Sequence, residues 1–172
     1  RQIYNSRGNN DKALNNYIEI LAIAESLDDK RLLCLGNLNL ANTYLGLGKD
    51  SLSMQHSLKG YELAKEIGDL NRQAYALFVI GHIEFDNKQH EGALQKWNQA
   101  IKIYEELGDK VWTVYTLYRF TEAYTLMHRE SDALEAGMRA LNISKDLKND
   151  HLISECYNFL AKTHSALGNK SE

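Results

Sequence analysis

Residues 103–109 read IYEELGD, and residues 63–69, forty positions earlier, read LAKEIGD. A further step of forty residues in each direction gives IAESLDD at 23–29 and ISKDLKN at 143–149. A fixed period of this length is typical of repeat proteins, in which each unit is one supersecondary element that stacks on the next. The sequence therefore predicts a repeat architecture with a unit of forty residues.

Residues that lie forty positions apart are chemically alike, which is the internal test of a repeat. Three apolar columns predict core positions, and two columns of small residues predict places where helices approach closely. The apolar columns are Leu27, Ile67, Leu107 and Leu147; Ile23, Leu63, Ile103 and Ile143; and Leu40, Ile80, Phe120 and Leu160. The small columns are Ala13, Ser53, Ala93 and Ala133, and Ala41, Gly81, Thr121 and Ala161.

Within one unit the apolar residues recur at intervals of three and four, which is the spacing of one face of an α-helix. Gly68 and Gly108 follow two of these stripes, where a left-handed residue closes a helix. Asp69 and Asp109 come next, where a carboxylate caps the following helix. We therefore predict helices near 10–27, 30–46, 50–67, 70–86, 90–107, 110–126, 130–147 and 150–167, with a remnant at 1–7.

A helix pair of this kind cannot bury its own stripe, so the units are predicted to stack into an all-α superhelical solenoid. The unit resembles the tetratricopeptide repeat in three features: the small residue in NLANTY and VIGHIE, the aromatic residue three positions later, and the alanine that opens the second helix. The aromatic positions are Tyr4, Tyr44 and Tyr124, and the alanines are Ala13, Ala93 and Ala133. The forty-residue length and the LGD ending are similar to the repeats of the Pins and LGN adaptors and of bacterial signalling proteins.

The resemblance covers the whole chain, so we predict one domain over 1–172. It comprises a partial repeat at 1–28, repeats at 29–68, 69–108 and 109–148, and a partial repeat at 149–172. Because the chain begins at Arg1, we expect it to be a fragment of a longer protein. The local departures are Glu84 and His164 in place of the aromatic residue, and Ser57 and Gly137 in place of the large residue seen as Tyr17 and Trp97.

Composition disfavours several classes of function. The net charge is -3 and the basic residues are spread along the chain, so a nucleic-acid partner is not expected. The apolar runs fall short of the roughly 18 to 20 residues that cross a bilayer, so membrane insertion is not expected either. The six histidines show no metal-ligand or catalytic spacing, and we predict no enzyme activity, no metal and no cofactor.

The two cysteines, Cys34 and Cys156, lie about three repeats apart, which is too far along a stacked array for a disulfide. We therefore expect two reduced, structural thiols and a cytoplasmic protein. The large Trp97 lies between the small residues Ala93 and Ala100, so we expect it to be buried between the two helices of its repeat.

The resemblance implies a concave groove lined by the inner face of the first helix of each repeat. Aromatic side chains there are preferred binding anchors, although some of them would instead be ordinary core. Asn42, His82, Glu122 and Lys162 form one column of this groove, and Leu35 starts another. The predicted peptide-binding residues are Leu38, Asn42, Tyr75, Phe78, His82, Phe85, Tyr115, Tyr118 and Glu122.

These features favour a protein-interaction scaffold that binds a peptide or a partner segment in the groove. The alternative is a ligand- or peptide-sensing regulatory domain of a bacterial signalling protein. We also expect self-association through the last helix, because no second helix follows it to cover its apolar stripe. That stripe comprises Ile153, Tyr157, Leu160, Ala161 and Leu167.

Overall fold

The structure is a computed structural model that describes the backbone of residues 2–168 and the side chains of residues 14–166 and 168. Every regular element within this part of the chain is an α-helix, which confirms the all-α prediction. The helices are α1 Gln2–Ser26, α2 Lys30–Gly46, α3 Asp50–Glu66, α4 Leu70–Asp86, α5 His90–Glu106, α6 Lys110–Leu126, α7 Glu130–Asp146 and α8 Asp150–Gly168. The side chains of Tyr4, Ala13 and Leu167 lie outside the described residues.

The helices α2 to α8 begin and end within one residue of their predicted bounds. The first helix differs, because the predicted remnant at 1–7 and the predicted helix at 10–27 are one continuous helix. The gap between the two predicted segments contains Gly8. A single glycine inside a helix costs only about 1 kcal/mol, which a long helix tolerates.

The turns that join these helices share one geometry every twenty residues. At the end of α3 the Asp69 N–H donates to the Ala64 carbonyl at 2.8 Å, and the Gly68 N–H donates to the Lys65 carbonyl at 3.1 Å. This pair of bonds is the Schellman motif, and it needs a left-handed residue at its centre. The same pair recurs at the other six turns, where the central residues with positive φ are Asp28, Gly48, Lys88, Gly108, His128 and Lys148.

Side chains cap the start of the first helix in each repeat. Asp69 Oδ1 accepts from the Arg72 N–H at 2.9 Å, and Asp109 Oδ1 accepts from the Trp112 N–H at 3.0 Å. Asp29 and Asn149 cap α2 and α8 in the same way. The prediction that LGD joins the end of one helix to the start of the next is therefore confirmed.

The described chain divides into two compact units, Arg1–Ile83 and Glu84–Glu172. In the first unit Leu38 and Cys34 of α2 pack with Ala64 and Ala76. Gly60 of α3 faces Leu38 so closely that an added Cβ would stand 2.5 Å from Leu38 Cδ2. A glycine at this position therefore lets α2 and α3 approach.

A buried polar cluster also links α2 to α3 in the first unit. The fully buried Asn37 donates from Nδ2 to the Leu33 carbonyl at 2.8 Å. Its Oδ1 lies 2.9 Å from Nδ1 of His56, whose ring stacks on Tyr44 with a centroid separation of 5.5 Å. Burial, and then the charge of Lys59, lower the pKa of His56 below its ordinary value. The neutral imidazole is therefore favoured in this cluster.

In the second unit Trp97 of α5 is fully buried, as predicted. Its ring lies 5.7 Å from Phe85 and 6.2 Å from Phe120, so one aromatic cluster joins α4, α5 and α6. Gly137 occupies the column in which Trp97 stands, and Leu160 of α8 approaches it instead. A Cβ on Gly137 would stand 2.6 Å from Leu160 Cδ2.

Two sets of core predictions need correction. The column of Leu40, Ile80, Phe120 and Leu160 is buried as expected, but Ile23, Leu27 and Leu107 of the other two apolar columns are exposed. Ile23 lies in the last turn of α1, and Leu27 and Leu107 directly follow the ends of α1 and α5. The open stripe predicted on α8 is also smaller, because Leu160 is buried against α7 whereas Tyr157 is 52% exposed.

Candidate functional site

The predicted groove residues are divided between the two units, and each unit is described by itself. Leu38, Asn42, Tyr75, Phe78 and His82 lie in the first unit. Phe85, Tyr115, Tyr118 and Glu122 lie in the second unit. Each unit therefore has its own candidate surface on the first helices of its repeats.

The first unit has an open cleft of about 410 Å³ formed by α2 and the start of α4. Helix α2 supplies residues at positions i, i+3 and i+4, which share one helix face. The first two turns of α4 supply the opposite wall, beginning at the helix cap. The lining residues are Leu35, Leu38, Asn39, Asp69, Asn71, Arg72 and Tyr75.

One wall of this cleft is polar and carries an ion pair. The Arg72 guanidinium pairs with Asp69 Oδ2, while Asp69 Oδ1 caps the helix. Burial alone would raise the pKa of Asp69, but the hydrogen bonds and the charge of Arg72 hold it below its ordinary value. Asn39 and Asn71 add two amide groups, each of which can donate and accept hydrogen bonds.

The other wall of the cleft is apolar. Leu35 is 39% exposed, and Tyr75 is half-buried against the core of Cys34, Leu38, Ala64 and Ala76. Burial raises the pKa of Tyr75, so its hydroxyl stays neutral at physiological pH. The cleft thus offers both apolar surface and hydrogen-bonding groups to the same ligand.

The other predicted residues of the first unit differ in exposure. Phe78 is half-buried and packs against Ala41, Val79 and Ile83. His82 is half-buried and Asn42 is exposed. Leu38 is only 3% exposed, so we correct the expectation that its side chain forms accessible surface. The Leu38 side chain packs against Gly60 and therefore lies in the core.

The second unit has a row of neighbouring aromatic rings on α6 and α8. Trp112 and Tyr115 lie 5.7 Å apart, Tyr115 and Tyr118 lie 6.0 Å apart, and Tyr118 stacks on Phe159 at 4.8 Å. Trp112, Tyr115 and Phe159 are half-buried. We call these four residues the aromatic row.

Tyr118 has a structural role within the aromatic row. Its side chain is 4% exposed, and its hydroxyl donates to the Leu152 carbonyl at 2.9 Å. The Cys156 thiol lies 3.4 Å from the same hydroxyl. Burial, and then the hydrogen bond to Cys156, raise the pKa of Tyr118. Tyr118 therefore fastens α6 to α8 and does not offer an accessible anchor.

Phe85 was also predicted as a groove residue, but it too is buried and is not an accessible anchor. It is 8% exposed, and its ring lies 5.1 Å from His90 and 5.7 Å from Trp97. These contacts place it in the core of the second unit. Glu122 keeps an accessible carboxylate and pairs with Arg119 at 2.8 Å, so it is a charged neighbour of the aromatic row.

Several lining residues were not found from the sequence. Trp112 lies three positions before Tyr115, and that spacing could have revealed it. Phe159 stands in a column with Asn39, Val79 and Arg119, which share no chemistry that would single it out. Asn71 and Arg72 follow the cap Asp69, where helical periodicity gives no signal because the helix is only beginning.

Among the residues that the structure describes, no group of three or more His, Cys, Asp or Glu side chains could hold a metal ion. None of the described helices combines the length and the apolar character needed to cross a bilayer.

Comparison with protein families gives one match. Residues 72–146 match the family described as Tetratricopeptide repeat. The matched segment contains the aromatic row except for Phe159, together with Arg72 and Tyr75 of the cleft. None of the curated proteins matches the chain.

Solved structures resemble the fold over nearly the whole chain. BtubC (BKLC) from P. vanneervenii is 19% identical with a TM-score of 0.83, over 97% of this chain and 70% of that chain. The Podosopora anserina putative kinesin light chain TPR-like repeats are 15% identical with a TM-score of 0.74, over 98% and 84%. A Rap protein complexed with Competence and Sporulation Factor is 16% identical with a TM-score of 0.78, over 98% and 54%. The fold is therefore that of the TPR-like helical solenoids.

Proposed function

We propose that the chain, whose residues 72–146 match the tetratricopeptide repeat family, is a non-enzymatic interaction module that holds a peptide segment of a partner protein. The observation that carries the proposal is the cleft of about 410 Å³ in the first unit, which joins an apolar wall to a polar one. Peptides need both, because their side chains require apolar contact and their backbones require hydrogen-bond partners.

The chemistry of the cleft suits an extended peptide. Leu35 and Tyr75 provide apolar surface for one of its side chains, since both keep part of their area accessible. The amides of Asn39 and Asn71 pair with a backbone N–H and a backbone carbonyl. Arg72 adds a fixed charge beside them. Its pairing with Asp69 orients the guanidinium before any ligand arrives, which lowers the entropic cost of binding.

The second unit offers a further contact surface of the same kind. Trp112 and Tyr115 keep accessible area beside the ion pair of Arg119 and Glu122. Aromatic side chains bury large areas and lose little conformational entropy when they bind. We therefore expect Tyr75 in the first unit and Tyr115 in the second unit to be the main aromatic anchors.

The test begins with peptides that are selected by phage display on the wild-type chain. Calorimetry then measures their affinity for the chain. The chain offers a matched pair of variants, because Leu35 in the cleft and Leu52 on α3 are 39% and 38% exposed. Leu35→Ser is expected to weaken a selected peptide about tenfold or more, as for an interface anchor, and Leu52→Ser to leave its affinity unchanged. Equal effects of the two variants would contradict the cleft as the site.

The double variant Tyr75→Ala with Tyr115→Ala tests the anchors themselves. We expect it to abolish peptide binding while the far-UV circular dichroism stays helical. Retained affinity in a folded double variant would move the site away from the first helices.

A ligand-sensing regulatory domain is the second candidate. A solved Rap protein, whose fold this chain resembles, holds Competence and Sporulation Factor, and this chain spans 54% of that protein. A sensing domain shifts between two arrangements when its ligand binds, because the ligand has unequal affinity for them. Small-angle X-ray scattering with and without a selected peptide separates the two candidates. A change in the scattering curve favours sensing, and an unchanged curve favours the interaction module.

The cytoplasm is the compartment that we propose for the protein. Cys34 and Cys156 are free and buried, and burial raises the pKa of the Cys34 thiol to about 11. Thiols of this kind are unreactive and are typical of a reducing compartment. Localisation of the tagged full-length protein by microscopy tests this assignment.

A further inference from the structure

The helix α8 exposes a face that the first helices of other repeats bury. Four of its residues share one side of the helix by their spacing. They are Ser154, Tyr157, Asn158 and Ala161, and all four are exposed. Their counterparts in α2 are Cys34, Asn37, Leu38 and Ala41, each at most 3% exposed. The counterparts in α6 are Val114, Leu117, Tyr118 and Thr121, each at most 4% exposed. We call the four residues of α8 the open face.

The helix α1 exposes apolar side chains at positions that its counterpart α3 covers. Leu63 and Ile67 at the end of α3 pack against the buried core around Cys34 of α2. Forty positions earlier, Ile23 and Leu27 are 54% and 66% exposed. The side of α1 that corresponds to the contact of α3 with α2 is therefore uncovered.

The open face and this side of α1 correspond in the register of the repeat. A second copy whose α1 lies on α8 as α3 lies on α2 brings equivalent columns together. In the first unit Asn37 Oδ1 lies 2.9 Å from Nδ1 of His56. The same two columns place Tyr157 of α8 opposite Asn16 of α1, and a phenol and an amide can form a hydrogen bond.

Ion pairs link successive second helices through one pair of columns. In the first unit Lys59 Nζ of α3 lies 3.8 Å from Glu25 Oε1 of α1. In the second unit Arg139 of α7 pairs with Glu105 of α5. Both pairs join a residue and the one thirty-four positions before it, so they are the same contact in two repeats.

The charges at the two ends of the chain suit the same contact between copies. The column of Lys59 and Arg139 begins with Glu19 on α1, and the column of Glu25 and Glu105 ends with Lys145 on α7. Both side chains are exposed. The signs of both columns are reversed, so the two ends are complementary in charge.

The charge of Lys145 also lies beside the open face. Its Nζ is 5.8 Å from the centroid of the Tyr157 ring. A carboxylate on a helix that covers Tyr157 therefore arrives next to an ammonium group, and Glu19 is that carboxylate when the helix is α1.

We propose that the open face of α8 binds α1 of a second copy of this chain, so that copies join head to tail. Each copy uses α8 for one neighbour and α1 for the other, which makes the interface heterologous. Ser154 and Asn158 are polar where the interior contact has Cys34 and Leu38, so the association is weak and reversible. It involves neither the cleft of the first unit nor the aromatic anchors, so it is independent of the proposed peptide site.

Sedimentation velocity of the 172-residue chain tests the association. The concentration runs from about 1 µM to about 500 µM, which spans the range of weak interfaces. We expect the average mass to rise from that of the 19.6 kDa monomer as the concentration rises. A constant monomer mass over this range would overturn the proposal.

Two variants that each block one end distinguish a head-to-tail contact from a symmetric one. Ile23→Asp blocks α1 and Ala161→Glu blocks α8, and each is expected to be monomeric with unchanged far-UV circular dichroism, because both positions are exposed. Mixed together they are expected to form a dimer of one copy of each and to grow no further. Their intact ends are α8 of one variant and α1 of the other.

The matched control for the α1 end is Ile18→Asp. Ile18 is 51% exposed, and its counterparts Leu58 and Met138 are exposed to a similar degree on the second helices α3 and α7. Its column therefore lies outside the contact, and the variant is expected to associate like the wild type. Association of Ile23→Asp alone, or an equal loss in Ile18→Asp, would overturn the proposal.

Exchange of the two charges tests the register. Glu19→Lys is expected to weaken the association about fivefold, because an attraction between exposed charges becomes a repulsion. This is expected although the variant lowers the net negative charge, which by itself favours association. Lys145→Glu in the same chain is expected to restore the wild-type affinity. No recovery in the double variant would show that the two residues do not meet and would refute the proposed register.

Discussion

Gly46 and Gly48 lie two residues apart at the end of α2, and only Gly48 has a positive φ, of 67°. A Cβ added to either residue would meet nothing within 4 Å. The two sites therefore differ in backbone conformation and not in packing. Gly48 stands at the centre of a Schellman turn, whereas Gly46 is helical.

Alanine at these two glycines is expected to change stability in opposite directions. Gly46→Ala should raise the free energy of unfolding by about 0.5–1 kcal/mol, because alanine favours the helix. Gly48→Ala should lower it by about 1–2 kcal/mol, because the left-handed conformation is unfavourable for residues with a Cβ. Urea denaturation followed by circular dichroism measures both, and changes of the same sign would contradict the turn geometry.

Where a lysine occupies a left-handed turn, its replacement by glycine is expected to stabilise the fold. Lys88 has a φ of 62°, so Lys88→Gly is expected to raise the free energy of unfolding by about 1 kcal/mol. The matched control is Lys102→Gly within α5, which should lower it by about 1 kcal/mol. Thermal unfolding of the two variants checks the contrast, and a loss of stability in Lys88→Gly would refute it.

Truncation of Trp97 should remove the centre of the core in the second unit. Trp97→Ala is expected to cost about 3–5 kcal/mol, because the fully buried indole fills the space between Phe85 and Phe120. Trp97→Phe should cost less, since it keeps a ring in contact with both neighbours. Chemical denaturation by urea measures the two losses. Wild-type stability in Trp97→Ala would show that the helix face is assigned incorrectly.

The His56 cluster predicts a dependence of stability on pH. The pKa of His56 is lowered in the folded state, so below the ordinary histidine pKa of about 6.5 the unfolded chain binds more protons. The free energy of unfolding should therefore fall as pH falls from about 6.5 towards the folded-state pKa. Urea denaturation between about pH 7.5 and pH 5.5 measures the slope.

Substitution identifies the group responsible for this slope. His56→Gln is expected to flatten it, whereas His151→Gln, at an exposed position of α8, is expected to leave it in place. An undiminished slope in His56→Gln would show that another group is responsible.

The fold could be predicted from the sequence because the same residue pattern recurs in each repeat. The columns of Leu40, Ala41 and Ala93, and the LGD turns, are local patterns that persist at a spacing of forty residues. Lys88 and His128 occupy left-handed turns that carry no sequence signal, and only the spacing from Gly48, Gly68 and Gly108 marks them.

The candidate site was less predictable because the exposure of each side chain depends on which residues of the neighbouring helices cover it. Tyr118 and Tyr115 both lie on the face expected for the groove, but only Tyr118 reaches the Leu152 carbonyl and is buried. Arg72 became a site residue through its contact with the cap Asp69, which follows from the turn and not from helical periodicity. Asn37 and His56 likewise meet across two helices, at a separation that no local pattern reveals.

Photo-crosslinking tests the proposed peptide site most directly. A phage-selected peptide carries a benzophenone side chain at its central position, and mass spectrometry identifies the crosslinked residues after irradiation. The account predicts crosslinks to Leu35, Asn39 or Tyr75 of the cleft, or to Trp112 or Tyr115 of the aromatic row. Crosslinks confined to the second helices α3, α5 and α7 would contradict it.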